Sequence, residues 1–322
     1  MFSMKTLIRL IYIALGCALL YYATTLLQNA LGQGGIPTDV PILLVMASAA
    51  CYFLSHIMRA MRLVILAEDP SISLRGLMTE QFKANGVNLA LPFRLGEAYR
   101  VVFFKPFFKS YYRSFIFLLT ERIFDFSAVL LLFHLACWWG NIHSPMFVYV
   151  NLFTGFVVAL IIGFFFMAED TLLILHRLVL SRYTTPWAVK FVSLSGQIIQ
   201  AIRDVKAILN KRVAACLAFT SAIWALEVAA FMMFIHILND NWDALLALSS
   251  LVSLSSLLPS GPAGYGGVQM AFHGVGQVWG PTYLVAYSLW YNLFIFLPAI
   301  ILAVILFFAP FFKKEKEAHD TL

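Results

Sequence analysis

The sequence predicts an all-α, polytopic integral membrane protein with six transmembrane helices and two oppositely oriented re-entrant hairpins in an inverted-repeat-like arrangement. Three observations carry that expectation. Of 322 residues, 61% are hydrophobic, only 12% are charged, and 30 are Phe. Soluble domains carry about 25% charged residues, so polar side chains are too scarce to cover a water-facing surface and most of the outside faces lipid. Apolar runs recur at 7–27, 40–58, 114–138, 146–168, 213–237 and 283–309, each long enough for a crossing of about 20 residues. Two further runs, 77–104 and 244–279, are broken near the middle by Pro, Gly and Asn, residues that stop helices.

Lys5 and Arg9 hold the N-terminus inside, because cytoplasmic segments collect Lys and Arg. In the first run, Ala14-Leu15-Gly16-Cys17 resembles a lipoprotein cleavage site, but the apolar stretch continues to Leu27, so 7–27 reads as a retained span. The second span returns near Arg59 and Arg62, which read as snorkelling anchors. A single crossing by 77–104 would put Lys105, Lys109 and Arg113 outside. A dip that turns back keeps them inside.

The third span then exits to the 140–144 loop, which has no Lys or Arg, and the fourth returns. The segment 169–212 carries Arg177, Arg182, Lys190, Arg203, Lys206, Lys211 and Arg212 and is expected to be cytoplasmic. Its Leu172, Leu175, Leu178 and Leu180, followed by Ile198, Ile199, Ile202, Val205 and Ile208, describe an amphipathic connector, lying along the membrane interface or solvated. The fifth span exits to 239–243, the run 244–279 dips back from that side, and the last span brings Lys313, Lys314 and Lys316 inside. None of the 22 basic residues then lies in an outer loop. The chain is read as one domain in the cytoplasmic membrane, with both termini cytoplasmic and a solvated tail.

Broken helices entering from opposite faces are the pattern of inverted repeats. Irregular backbone at membrane depth occurs only where it is buried in protein or lines a cavity, so a cavity is expected where they meet. The net charge of +6 follows the topology and does not point to nucleic acid. Cys17, Cys51, Cys137 and Cys216 lie in apolar runs without CxxC spacing and read as packing residues. The seven His residues are scattered without HExxH or a Cys/His cluster, so neither a metal nor another cofactor is expected.

Ionisable groups in membrane segments cost about 2.5–3.5 kcal/mol each on insertion scales and need a partner or a role. Three places qualify. Arg94, Glu97 and Arg100 recur at i, i+3, i+6 after Pro92, and arginine forks match phosphate oxygens. Glu121 and Asp125 share one helix face and Arg122 can reach Asp125 at i+3; the set can tie helices together or serve a site. Glu227 lies about 22 Å along its helix past Arg212, at 1.5 Å per residue, with no partner nearby in sequence. The stretch Leu258 to Gln269, with Pro262, Gly264, Gly266 and Gly267, offers backbone amides and half-helix ends that favour anions. It is not a nucleotide loop, because no Gly-Lys-Ser/Thr follows it.

These residues resemble the signature of the lysylphosphatidylglycerol synthase transmembrane-region family, a flippase-like family that includes archaeal dolichol-phosphate glycosylation membrane proteins. Asn88 and Leu91-Pro92-Phe93-Arg94-Leu95-Gly96-Glu97, with Arg100, resemble its first motif. Glu121-Arg122 with Asp125 resembles its Glu-Arg-any-any-Asp motif, and Pro262 to Gln269 its glycine-rich motif. Ala263 replaces a Gly, Gln269 stands where Glu is usual, and Ser288 where Arg is common. Losing both members of such a pair leaves no orphaned buried charge.

The resemblance implies a lipid transporter that moves an anionic lipid, a polyprenyl-phosphate-linked sugar or a modified phospholipid, between leaflets, with Arg94 and Arg100 on the phosphate. Two other classes fit the residues: a membrane-embedded head-group transferase, and an accessory subunit partnering a glycosyltransferase. Homo-oligomers are compatible with all three. No aminoacyl-transferase domain accompanies the runs, so lipid aminoacylation is not expected.

Overall fold

The computed structural model describes residues 41–319 except 68, 70, 92–93, 140–145, 184, 236–241, 258–263, 265 and 280–283, together with Ala14, Cys17 and Tyr21. The expected first span at 7–27, apart from those three residues, the 140–144 loop and Pro262 thus lie outside the described residues. All elements among the described residues are helical.

Helix α1 (Ile42–Ala67) is inside out relative to a helix of a soluble protein. Ser48, Tyr52, Ser55, His56, Arg59 and Arg62 are buried along it, whereas Ile42, Leu43, Met46 and Leu54 are exposed. Apolar outside and polar inside is what a lipid solvent selects.

The first broken run begins with α2 (Leu74–Ala90), started by Ser73, whose hydroxyl accepts from the Gly76 N–H at 3.2 Å, an N-cap. It ends at Leu91, which is extended (φ −108°, ψ 142°), because the residue before a proline is pushed out of the helical region. Arg94 takes a left-handed conformation (φ 54°), and the chain resumes as α3 (Leu95–Phe103) and a short α4 (Lys105–Phe108).

Arms α2 and α3 pack so closely that a Cβ on Gly96 would overlap the Ala84 carbonyl and the Asn88 amide. Backbone cannot yield as a flexible side chain does. Gly96→Ala is therefore expected to destabilise the protein by about 1–3 kcal/mol, the usual penalty of overpacking, read as a lower melting temperature in detergent.

Helix α5 (Tyr111–Trp139) follows, then α6 (Met146–Ile162), a π turn (Gly163–Met167) and α7 (Ala168–Arg182). Next comes α8 (Pro186–Phe234), 49 residues long, opened by Pro186 and by Thr185 accepting from the Ala188 N–H at 3.4 Å. The connector expected at 169–212 and the span expected at 213–237 therefore meet in one unbroken helix. Lys211 and Arg212 mark the border by charge, yet both are good helix formers and end nothing.

Helix α7 folds back on α8, where Glu169 accepts from Arg203 Nε at 2.7 Å and Lys206 Nζ at 2.9 Å. Those bonds, Arg203 first, hold the Glu169 carboxyl below its ordinary value of 4.5. A lowered carboxyl pKa stabilises above the unfolded value, and that contribution fades as pH falls through the folded one. Hydrogen exchange in 168–206, corrected for its intrinsic pH dependence, should therefore rise below about pH 4 and lose that rise in Glu169→Gln. The effect is at most about 1 kcal/mol for so exposed a pair.

The second broken run comprises α9 (Trp242–Leu257) and α10 (Gly267–Trp279). Between them Gly264 (φ 75°) and Gly266 (φ 90°) adopt backbone that glycine alone takes readily. Gln269 Oε1 accepts from the Gly266 N–H at 2.8 Å, capping α10. The last elements are α11 (Leu284–Tyr291), a π turn (Asn292–Phe296) and α12 (Leu297–His319).

Helix α1 lies along α8, α5 packs on α8, α2 packs on α12, and α9 packs on α5. One apolar cluster surrounds the broken runs through Tyr99, Phe231, Phe272, Tyr291 and Phe307. A second joins α1, α4, α5 and the middle of α8 through Leu63, Phe104, Phe108, Phe117 and Val205.

Among the described residues, three stretches are long and apolar enough to cross a membrane: Ile42–Ala67, Pro186–Phe234 and Tyr287–Ala309. Helix α5 has the length, at 29 residues, but carries Glu121, Arg122 and Asp125. Large apolar side chains including Leu131, Trp138, Trp139, Tyr149, Leu152 and Phe156 are exposed. This is the surface of an integral membrane protein.

Candidate functional site between the broken helices

Charges from four helices converge on one place. Arg59 on α1 meets Asp125 of α5 at 2.8 Å and Glu227 of α8 at 3.4 Å. Arg62, one turn on, meets Asp125 at 2.9 Å and Glu121 at 3.1 Å, and donates to Thr220 at 2.7 Å. Arg100 on α3 pairs with Glu121 at 2.5 Å and Glu97 at 3.1 Å. Arg122 bridges Glu97 at 2.9 Å and Asp125 at 3.4 Å. Ser55 donates to Glu227 at 2.5 Å, and the Arg59 guanidinium lies 5.1 Å from the centre of the Trp224 ring, a cation–π distance.

The network has two layers. Arg62, Glu121 and Asp125 are fully buried and closed on one another, which suits a buried ion lattice whose members would be very costly alone. In front of them, Arg59, Glu97, Arg100, Arg122 and Glu227 reach a cavity of about 100 Å³ that Arg94 also lines. One water needs about 10–15 Å³ by the same measure, so a small polar group fits. Asn88 from the first broken run and Val252, Ser253 and Gly264 from the second line it as well, so both runs contribute to its wall.

Arg94 differs from the other four arginines: among the described residues no carboxylate lies within 4 Å of it. Counting it, five guanidiniums face four carboxylates in this assembly, a surplus of one positive charge.

Of the residues singled out by sequence, Arg94, Glu97, Arg100, Arg122, Glu227 and Gly264 line the cavity, and Glu121 and Asp125 stand behind it. Gly266, Gly267 and Gln269 shape the start of α10 without lining it, and Gly267 sits where a Cβ would come 2.9 Å from that of Ser255. Because Arg94 precedes α3 in left-handed backbone, the helical stripe expected for 94, 97 and 100 is reduced to Glu97 and Arg100.

Arg59 and Arg62 correct their expectation. They are buried and ion-paired at the centre of the network, not snorkelling. The signal was present in the spacing of Ser48, Tyr52, Ser55, Arg59 and Arg62, three to four residues apart along one face of an apolar helix. Gln81, Asn85, Trp224 and Tyr291 also line the cavity and carried no signal as single polar or aromatic residues. No group of three or more His, Cys, Asp or Glu side chains among the described residues is arranged to hold a metal ion.

A family profile described as the lysylphosphatidylglycerol synthase TM region matches residues 9–303. No curated protein and no solved structure gives a significant match. That match covers most of the chain and includes both broken runs, the ion network and the cavity, and it marks an integral membrane protein linked to lipid metabolism or lipid flipping. The chain belongs to the lysylphosphatidylglycerol synthase transmembrane-region family.

Proposed function

We propose that the protein moves an anionic lipid, a polyprenyl-phosphate-linked sugar or a modified phospholipid, between membrane leaflets. The observation that carries this reading is Arg94, a guanidinium with no ion-pair partner among the described residues that opens into a polar cavity between two broken helices. A phosphate would neutralise the surplus charge and take the arginine fork with two parallel bonds.

In this reading Arg94 and Arg100 engage the phosphate, while Glu97, Glu121, Arg122 and Asp125 fix the guanidiniums. Glu227 orients Arg59, and the glycine-rich stretch 261–267 forms the opposite gate. The packing supports an inverted repeat: the first arm of each broken run lies on the closing span of the other half, α2 on α12 and α9 on α5, with α1 against α8 between them. Six crossings with two hairpins returning to their own sides, and both termini cytoplasmic, complete the reading. Rocking of such halves exposes a midplane site to each leaflet in turn.

The test is reconstitution of purified protein into vesicles with a head-group-labelled lipid and a membrane-impermeant quencher. Translocation faster than in protein-free vesicles is expected for at least one of glycosylated polyprenyl phosphate, polyprenyl phosphate, phosphatidylglycerol and lysyl-phosphatidylglycerol. No translocation of any of them overturns the proposal, and covalent turnover of the lipid replaces it with head-group transfer.

A further inference from the structure

We infer that the cavity contains a second, uncharged subsite, built from Gln81, Asn88 and His56, which reads a neutral hydroxyl-rich group attached to the lipid phosphate and excludes cationic head groups. This rests on the reading of the cavity as a lipid-phosphate site and adds the class of head group.

The first observation is a cluster of unanswered polar atoms, two amide acceptors and one imidazole nitrogen. Gln81 Oε1, Asn88 Oδ1 and His56 Nδ1 are buried and have no hydrogen-bond partner among the described residues, and all three residues line the cavity. Gln81 is only 4% exposed and His56 7%, so neither can turn its polar atoms to bulk solvent. Buried polar atoms are nearly always paired, and an unpaired one in a native structure calls for a reason. Trp224 Nε1, an unanswered donor, lines the same cavity.

The second is placement. Residues 81, 85 and 88 fall at i, i+4, i+7 and so share one face of α2. Asn85 donates to the Tyr52 hydroxyl at 2.9 Å and accepts from it at 3.3 Å. Asn88 spends its amide N–H on Glu97 at 3.3 Å, and its carbonyl, packed against Gly96, has no partner. Gln81, Asn85 and Asn88 line the same cavity as Arg94 and Arg100, as a subsite next to a phosphate would.

The third is charge. The two carboxylates in the lining, Glu97 and Glu227, already hold Arg100, Arg122 and Arg59. Once a phosphate has taken up the one surplus positive charge, no anion is left for an ammonium group. The free acceptors need donors, and the donors must be neutral. Hydroxyl groups meet both conditions, and a primary amide presents acceptor and donor side by side as adjacent hydroxyls do.

The experiment is equilibrium binding to the full-length protein in nanodiscs, by native mass spectrometry, with four probes: polyprenyl phosphate, glucosyl polyprenyl phosphate, phosphatidylglycerol and lysyl-phosphatidylglycerol. The glucosylated lipid is expected to bind about tenfold tighter than bare polyprenyl phosphate, as two or three neutral hydrogen bonds allow, and lysyl-phosphatidylglycerol more weakly than phosphatidylglycerol. Comparison of the two hydroxyl-bearing probes separates an isoprenoid from a glycerophospholipid source.

Gln81→Leu and, separately, Asn88→Ala should bring the glucosylated-to-bare ratio towards one in protein that keeps its melting temperature. The wild-type comparison decides the matter even if neither variant folds. Equal affinity for bare and glucosylated lipid, or tighter binding of the lysyl lipid, overturns the subsite. Head-group preference without translocation in vesicles leaves the subsite standing and removes transport; translocation without preference does the reverse.

Discussion

Asp125→Ala is expected to lower the stability of the purified protein by about 3–5 kcal/mol, the cost of breaking a buried ion pair from one side. Asp125 receives Arg59 at 2.8 Å and Arg62 at 2.9 Å, with Arg122 at 3.4 Å. Truncation leaves two close guanidiniums facing each other without their shared counter-charge. Glu121 still holds Arg62 at 3.1 Å, but Arg59 keeps only the longer contact to Glu227. A thermal melt in detergent should show a drop of roughly 10 °C or loss of monodisperse protein. A change of only a degree or two would mean that water reaches the inner layer and the lattice is not closed.

Arg94→Gln should behave in the opposite way. No ion pair among the described residues is lost, so the melting temperature should stay near that of the wild type. Translocation of an anionic lipid should fall about 10- to 100-fold, the value of a charged hydrogen-bonded contact. Arg94→Lys should recover part of that loss, since the charge remains while the planar fork is gone. Wild-type translocation by Arg94→Gln would move phosphate recognition elsewhere in the cavity, and a large fall in melting temperature would make Arg94 a structural residue. Together the two variants separate the layer that holds the helices from the layer that faces a ligand.

How much of this was legible in the chain depends on the distance over which each signal acts. Breaks are local: Pro92 acts on Leu91, and the Gly264 and Gly266 backbone is a property of those residues, so both interrupted runs could be read directly. The shared face of Glu121 and Asp125 was legible too, because helical geometry fixes it.

The partners were not. Arg59 lies 66 residues from Asp125 and 168 from Glu227, and no spacing rule spans such separations. Near the end of an apolar run an unpaired arginine looks like an interface anchor, and only the return of α5 and α8 makes it an interior cation. The continuity of α8 was hidden for a related reason: composition changes at Lys211 and Arg212 while helix propensity does not, so the border there is chemical and the helix runs through it.

That same helix has a mechanical consequence. At 1.5 Å per residue its 49 residues reach about 73 Å, against a hydrocarbon core of about 30 Å. Its apolar end is packed against α1 and α5 beside the cavity, while α7 holds its middle through Glu169 on Arg203 and Lys206. Residues 201–209 belong to the second apolar cluster with α1 and α5, so the part that runs beyond it, 186–198, is an arm about 20 Å long. A tilt of about 10° displaces its tip by about 3 Å, a stroke that paired labels on the start of α8 and on the end of α5 can register as a distance.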